Sequence, residues 1–154
     1  MIIFNKDFEM NILSKVIKSC SMPIELSRLI NNGFIVHSND CVFFKEKQPI
    51  DIEIDNGSFF DKTEQECFYN ELRVSDYTEN NIVSVAVNAS EMIASKLHEM
   101  IPSKSFEIVT SFDDFDGEID AVIKLHTLRK EEVSYIEIQS IDEYQQPLFI
   151  CRTE

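Results

Sequence analysis

Twenty-eight Asp and Glu, against 14 Lys and Arg, dominate the side chains that can do chemistry in this 154-residue sequence. Paired acids such as Asp51 and Glu53 have the composition of a general acid–base couple, but with 28 carboxylates such pairs arise by chance and their spacing selects no reaction. The densest run, Asp113-Asp114-Phe115-Asp116-Gly117-Glu118-Ile119-Asp120, offers the clustered oxygens that a calcium ion needs. Setting Gly117 at the invariant glycine of an EF-hand loop places Asp114 and Asp116 correctly. It also puts Phe112 where the first ligand belongs and Ile123 where the bidentate glutamate belongs, so the register fails. Cys20, Cys41, Cys67 and Cys151 form no CxxC pair, and none stands near a histidine at zinc-site spacing; they read as reduced thiols packed like small hydrophobes. His37, His98 and His126 fall on different predicted elements, and the chain has no nucleophile elbow, no HExxH and no glycine-rich phosphate loop. The expectation is a protein without catalytic residues, bound metal or cofactor: a binding protein, not an enzyme.

Charge placement indicates what it binds. Residues 1–49 carry five acids and six bases, a net charge of +1; the rest of the chain holds 23 acids and eight bases, a net charge of −15. Residues 105–120 contain six acids and no Lys or Arg, and residues 50–79 hold nine acids against Lys62 and Arg73. Direct binding to nucleic acid is disfavoured, because phosphate contacts need Lys and Arg to displace counterions. A basic protein partner is favoured, since opposite fields steer association. Expected partner-binding residues are Asp113, Asp114, Phe115 and Asp116 in one acidic segment. In the other they are Asp51, Glu53 and Asp55, with Phe59, Phe60 and Tyr77 as aromatic anchors.

These residues must be held by ordered elements. With 44% apolar residues, three Gly and four Pro, the composition is that of a globular chain, and 154 residues suit one domain. Phe8, Ile12, Val16 and Ile17 predict a helix from Asp7 to Cys20, and Pro23 opens a second that Gly33 stops. Phe34–Ser38 and Cys41–Lys45 predict a hairpin joined by Asn39-Asp40. Ile50 to Asp55 alternates as a strand before the turn Asn56-Gly57. Thr63-Glu64-Gln65-Glu66 has the capping-box pattern of a short helix, with a strand as the alternative. Ile82–Val87 predicts a buried strand, followed by a helix from Asn88 that Pro102 ends. Phe106–Phe112, Glu118–Leu128, Val133–Ser140 and Leu148–Arg152 predict a closing antiparallel meander, with Asp113 to Gly117 as its first loop. The reading is one α+β domain over residues 1–154, with a mainly antiparallel sheet and helices packed on one face. No secretory signal and no apolar run of the roughly 20 residues a membrane span needs are present, so a cytoplasmic protein with no membrane contact is expected.

A small acidic domain of this profile resembles the immunity proteins that bacteria pair with polymorphic or contact-dependent growth-inhibition toxins. The segment Met22-Pro23-Ile24-Glu25-Leu26-Ser27-Arg28-Leu29-Ile30-Asn31-Asn32-Gly33 is similar to the helix-and-turn segment of the SUKH group, without its doubled glycine and aromatic-rich continuation. The resemblance implies a cognate toxin domain, a basic nuclease, whose active-site cleft the acidic face occludes. Two other binding roles fit the same composition. A phage-type nucleic-acid mimic would spread its carboxylates over the whole surface, and an accessory or chaperone subunit would expose an apolar patch.

Overall fold

A computed structural model describes residues 1–17, 19–50 and 57–154. The predicted strand Ile50–Asp55, and with it Asp51, Glu53 and Asp55, lies outside the described residues apart from Ile50 itself. Seven strands and four α-helices are found among the described residues, and the fold is α+β. The strands are β1 (Ile2–Phe4), β2 (Phe34–Val36), β3 (Val42–Phe44), β4 (Leu72–Arg73), β5 (Phe106–Phe115), β6 (Glu118–Thr127) and β7 (Leu148–Arg152). The helices are α1 (Lys6–Asn11), α2 (Ile24–Asn31), α3 (Lys62–Tyr69) and α4 (Ile82–Met100).

Five strands form one antiparallel sheet in the order β1-β7-β5-β6-β4, and β2 and β3 form a separate hairpin. Alternation along β5 and its neighbours divides the sheet into two faces. Phe106, Ile108, Phe112, Ile123, Leu125 and Phe149 join the larger core, with α4 and with Phe8 of α1, whose ring lies 5.5 Å from Phe112 and 5.4 Å from Phe149. Val109, Leu148 and Ile150 face the other way, under Ile136 and Ile141 from the segment after β6. Small residues let α4 sit close to the sheet: Ala86, Ala89 and Ser90 are fully buried, and the Ser90 hydroxyl lies 2.6 Å from that of Thr110 on β5.

Several predicted elements are corrected. The first helix stops at Asn11 and passes into a 3-10 turn, Leu13–Lys15, so Ile17 is exposed instead of lining the core. Ile82–Val87 is the opening of the 19-residue helix α4 and not a strand. Its residues 83–87 are buried, so a continuous apolar run looks the same whether helix or strand carries it. Val133–Ser140 is not a strand: it runs through bends into a 3-10 helix, Ile138–Glu143, that drops Ile136 and Ile141 onto the second sheet face. The β2–β3 connection is the five residues His37 to Cys41, closed by His37 N–H donating to Cys41 O, with Asp40 in the left-handed region. The helix at 62–69 is present, but its cap is Asp61 and not Thr63. The Asp61 carboxylate accepts from Glu64 N–H at 2.8 Å, and that of Glu64 reaches back to Phe60 N–H at 2.7 Å.

Candidate docking surfaces

Two buried polar side chains, Glu66 of α3 and Asn70 at its C-terminal cap, tie the small hairpin to the main sheet. Glu66, with no solvent exposure, accepts from Val42 N–H of β3 at 2.7 Å and from Thr127 N–H of β6 at 2.9 Å. Asn70, one turn on, accepts from Phe44 N–H at 2.9 Å and donates to Val42 O at 2.9 Å and to Leu125 O at 3.5 Å. Peptide groups of β3 and β6 that no strand pairs are thereby satisfied by side chains. Arg129 closes the network on Glu66 at 2.6 Å, and Glu132 accepts from both the backbone and the hydroxyl of Thr63 in the first turn of α3. A second buried set lies on the other sheet face, where the Glu107 carboxylate pairs with Arg152 at 2.6 Å and faces His126 at 3.3 Å. Glu107 and His126 are at most 1% exposed, so these acid–base groups hold strands together and are closed to a substrate.

The thiols and the other histidines lie apart from these sets. Burial pushes the thiols of Cys41, Cys67 and Cys151 up to about 12, well away from the reactive thiolate range, and none of the four cysteines is in a disulfide. Of the other histidines, His37 lies 2.9 Å from the Gln48 side chain and His98 is exposed on α4. Among the described residues, no three His, Cys, Asp or Glu converge to hold a metal ion, and no helix is long and apolar enough to cross a membrane.

What the fold does present is the β5–β6 hairpin. Ten residue pairs, from Phe106–Thr127 to Phe115–Glu118, carry it to a two-residue turn in which Asp116 and Gly117 both have positive φ, 55° and 89°. That is type I′ chemistry, and the strand runs on through Asp113 and Asp114, which the sequence reading assigned to a loop. Asp114 accepts from Gly117 N–H at 2.7 Å, which closes the turn. Asp113 is half-buried and accepts from the Gln146 side chain at 2.9 Å. Asp114, Asp116 and Glu118 are exposed around the tip, and Phe115 is 70% exposed beside them. The hairpin forms one wall of a cleft of about 870 Å³, faced by Ser75, Thr78, Glu79 and the start of α4. Asp120 holds this wall in place by accepting from the Ser75 hydroxyl at 2.8 Å and from Arg73 at 3.0 Å. Burial tends to raise its carboxyl, but the hydrogen bonds from Ser75, Ala121 and Arg73 outweigh it and hold the group below the usual carboxylate range.

Phe59 and Phe60 lie elsewhere, in a groove of about 370 Å³ between α3 and the segment after β6. Lys124 on its floor is six residues from Glu118, or about 20 Å along β6 from the tip. Phe60 is 90% exposed and Phe68, which the sequence reading passed over, 65%. Tyr77 follows the 3-10 turn Val74–Asp76 and packs half-buried against the core, with its hydroxyl pushed up by burial and by the nearby Asp76, Glu46 and Glu25. The expected anchors therefore separate into an acidic tip, an aromatic groove and a largely structural tyrosine. Phe68 and Tyr135 carry no sequence signal for the groove, because the contact depends on how the 129–147 segment crosses the sheet. A family model described as the Uncharacterized protein PM0498 family matches residues 3–154, and the chain belongs to that family. No curated protein and no solved structure matches it at the significance required.

Proposed function

We propose that this member of the PM0498 family is an acidic binding protein that inhibits a basic protein domain by inserting the β5–β6 tip into its cleft. The observation that carries the reading is the tip itself: a paired ribbon presenting exposed Asp114, Phe115, Asp116 and Glu118. A rigid ribbon loses little conformational entropy on binding, its carboxylates steer a cationic partner, and one exposed aromatic ring supplies an anchor that excludes water. The resemblance to immunity proteins makes the partner a nuclease toxin whose substrate cleft is basic; an acidic ribbon suits such a cleft because it meets the charges that would hold phosphates. The buried Glu107–His126–Arg152 set and the high thiols favour binding over catalysis in this reading.

The test uses the product of the reading frame adjacent to this gene. Its association with the wild-type chain should slow at least about tenfold between about 50 mM and about 500 mM salt, as the screening length falls. The combined change Asp113→Asn, Asp114→Asn and Asp116→Asn should slow association similarly at low salt while leaving the fold intact, since asparagine keeps the acceptor that closes the turn. Phe115→Ala should instead speed dissociation. The parallel triple change at Asp51, Glu53 and Asp55 tests the other acidic segment. If association ignores both salt and the hairpin substitutions, the electrostatic docking reading is wrong.

A further inference from the structure

The groove at α3 has a composition that suits one kind of visitor. Phe59, Phe60 and Phe68 form one side, with the Phe59 and Phe68 rings 5.5 Å apart and tilted by 53°, and Val133 and Tyr135 form the other. Phe60, Phe68 and Val133 are each at least 65% exposed, which is a large amount of apolar surface to leave in water at one place. The carboxylates of Asp61, Glu64 and Glu71 rim it. Among the described residues of the lining the one cation is Lys124, 3.7 Å from Glu71 and 5.0 Å from the centre of the Tyr135 ring. Its charge is thus already met by Glu71, and its remaining contact is the Tyr135 hydroxyl, to which it donates at 3.2 Å. Asp61 and Glu64 have no cationic partner among the described ion pairs, and each uses a carboxylate oxygen only to cap α3.

We propose that this groove is a second docking site, which takes an arginine side chain from a protein partner. A purely apolar side chain would fit the walls but would desolvate the rim carboxylates with nothing in return. A guanidinium is weakly hydrated and planar: it stacks on ring faces and donates in its plane to carboxylates, so it satisfies walls and rim together. A second copy of this chain is the poorer occupant, because two molecules of net charge −14 repel. The site is separate from the hairpin tip and stands whether or not the tip docks.

Titration of the isotope-labelled full chain with N-acetyl-arginine amide, followed by NMR, tests it directly, with the lysine and leucine amides as comparison probes. The arginine probe should shift the resonances of Phe60, Phe68 and Tyr135 at millimolar concentration, more than either comparison probe does. Phe60→Ala, at a position too exposed to matter for folding, should weaken that binding by about two- to fivefold, the worth of one exposed cation–π contact. Glu64→Gln should weaken it and flatten its salt dependence. The triple asparagine change at the hairpin tip should leave it unaltered, which separates this site from the one above. Leucine amide shifting the groove as much as the arginine probe would overturn the proposal in favour of an apolar occupant. It also fails if the arginine shifts map to Asp114 and Asp116, if no probe moves the groove, or if self-association of the chain covers it.

Discussion

Glu66 is a fully buried carboxylate with four donors on it: two backbone N–H groups, the Thr127 hydroxyl and the Arg129 guanidinium. Removing it leaves the buried Arg129 with the more distant Glu132 carboxylate, at 3.9 Å, and leaves two peptide donors unpaired, so Glu66→Ala should lower stability by about 3–5 kcal/mol in urea denaturation. Glu66→Gln keeps the shape but turns a donor toward Val42 or Thr127 N–H, and should fall between the wild type and the alanine variant. The thiols give a pH-dependent effect whose sign follows from burial. Cys41, Cys67 and Cys151 hold their protons up to about 12 in the fold, whereas an unfolded thiol loses its own near 9. Between those values the unfolded chain binds fewer protons, so stability should fall as pH rises from about 9 toward 12. At pH about 8, Ellman's reagent should label the partly exposed Cys20 well ahead of the other three, which react only on unfolding.

At the scale of elements, the Asp61-Lys62-Thr63-Glu64 box predicts that Asp61→Ala costs about 1 kcal/mol, read as a lowered urea midpoint. The sequence reading places the box two residues later, from Thr63 to Glu66; that register fails because it would make Glu66 the reciprocal cap, and Glu66 turns inward. Helix α2, the β2–β3 hairpin and the β5–β6 ribbon follow from local chemistry: Pro23 before the first turn, Gly33 with φ of 85° after the last, and turn residues between β-rich runs. The opening of α4 does not. Val83, Val85 and Val87 favour a strand, and only the tertiary setting, with Ala86, Ala89 and Ser90 set against β5, makes the helix the better packed choice. Strand β1 is equally hidden, because three residues at the chain start become a strand only through pairing with β7. The Val133–Ser140 segment alternates as a strand would, yet the strand neighbours of β5 are β6 and β7, so no edge is free there for it.

For the whole molecule, a net charge of −14 has effects of opposite sign on folding and on docking. Self-repulsion opposes the compact state, so added salt should raise the urea midpoint, while the same salt weakens the steering of a basic partner. Measuring both over one salt series separates charge kept for solubility, which moves only the first, from charge kept for binding. The acidic tip was legible in the sequence because its residues are contiguous; the aromatic groove was legible only through Phe59 and Phe60, since Phe68 and Tyr135 reach it from other elements. The seam formed by Glu66 and Asn70 also bears on self-association. Unpaired strand edges are templates on which other chains add strands, and here the free edges of β3 and β6 are both occupied by side chains from one short helix and its cap residue. Displacing α3 therefore uncovers two adhesive edges at once, and the Glu66→Ala protein should scatter more light, at equal concentration, than an equally destabilised core variant.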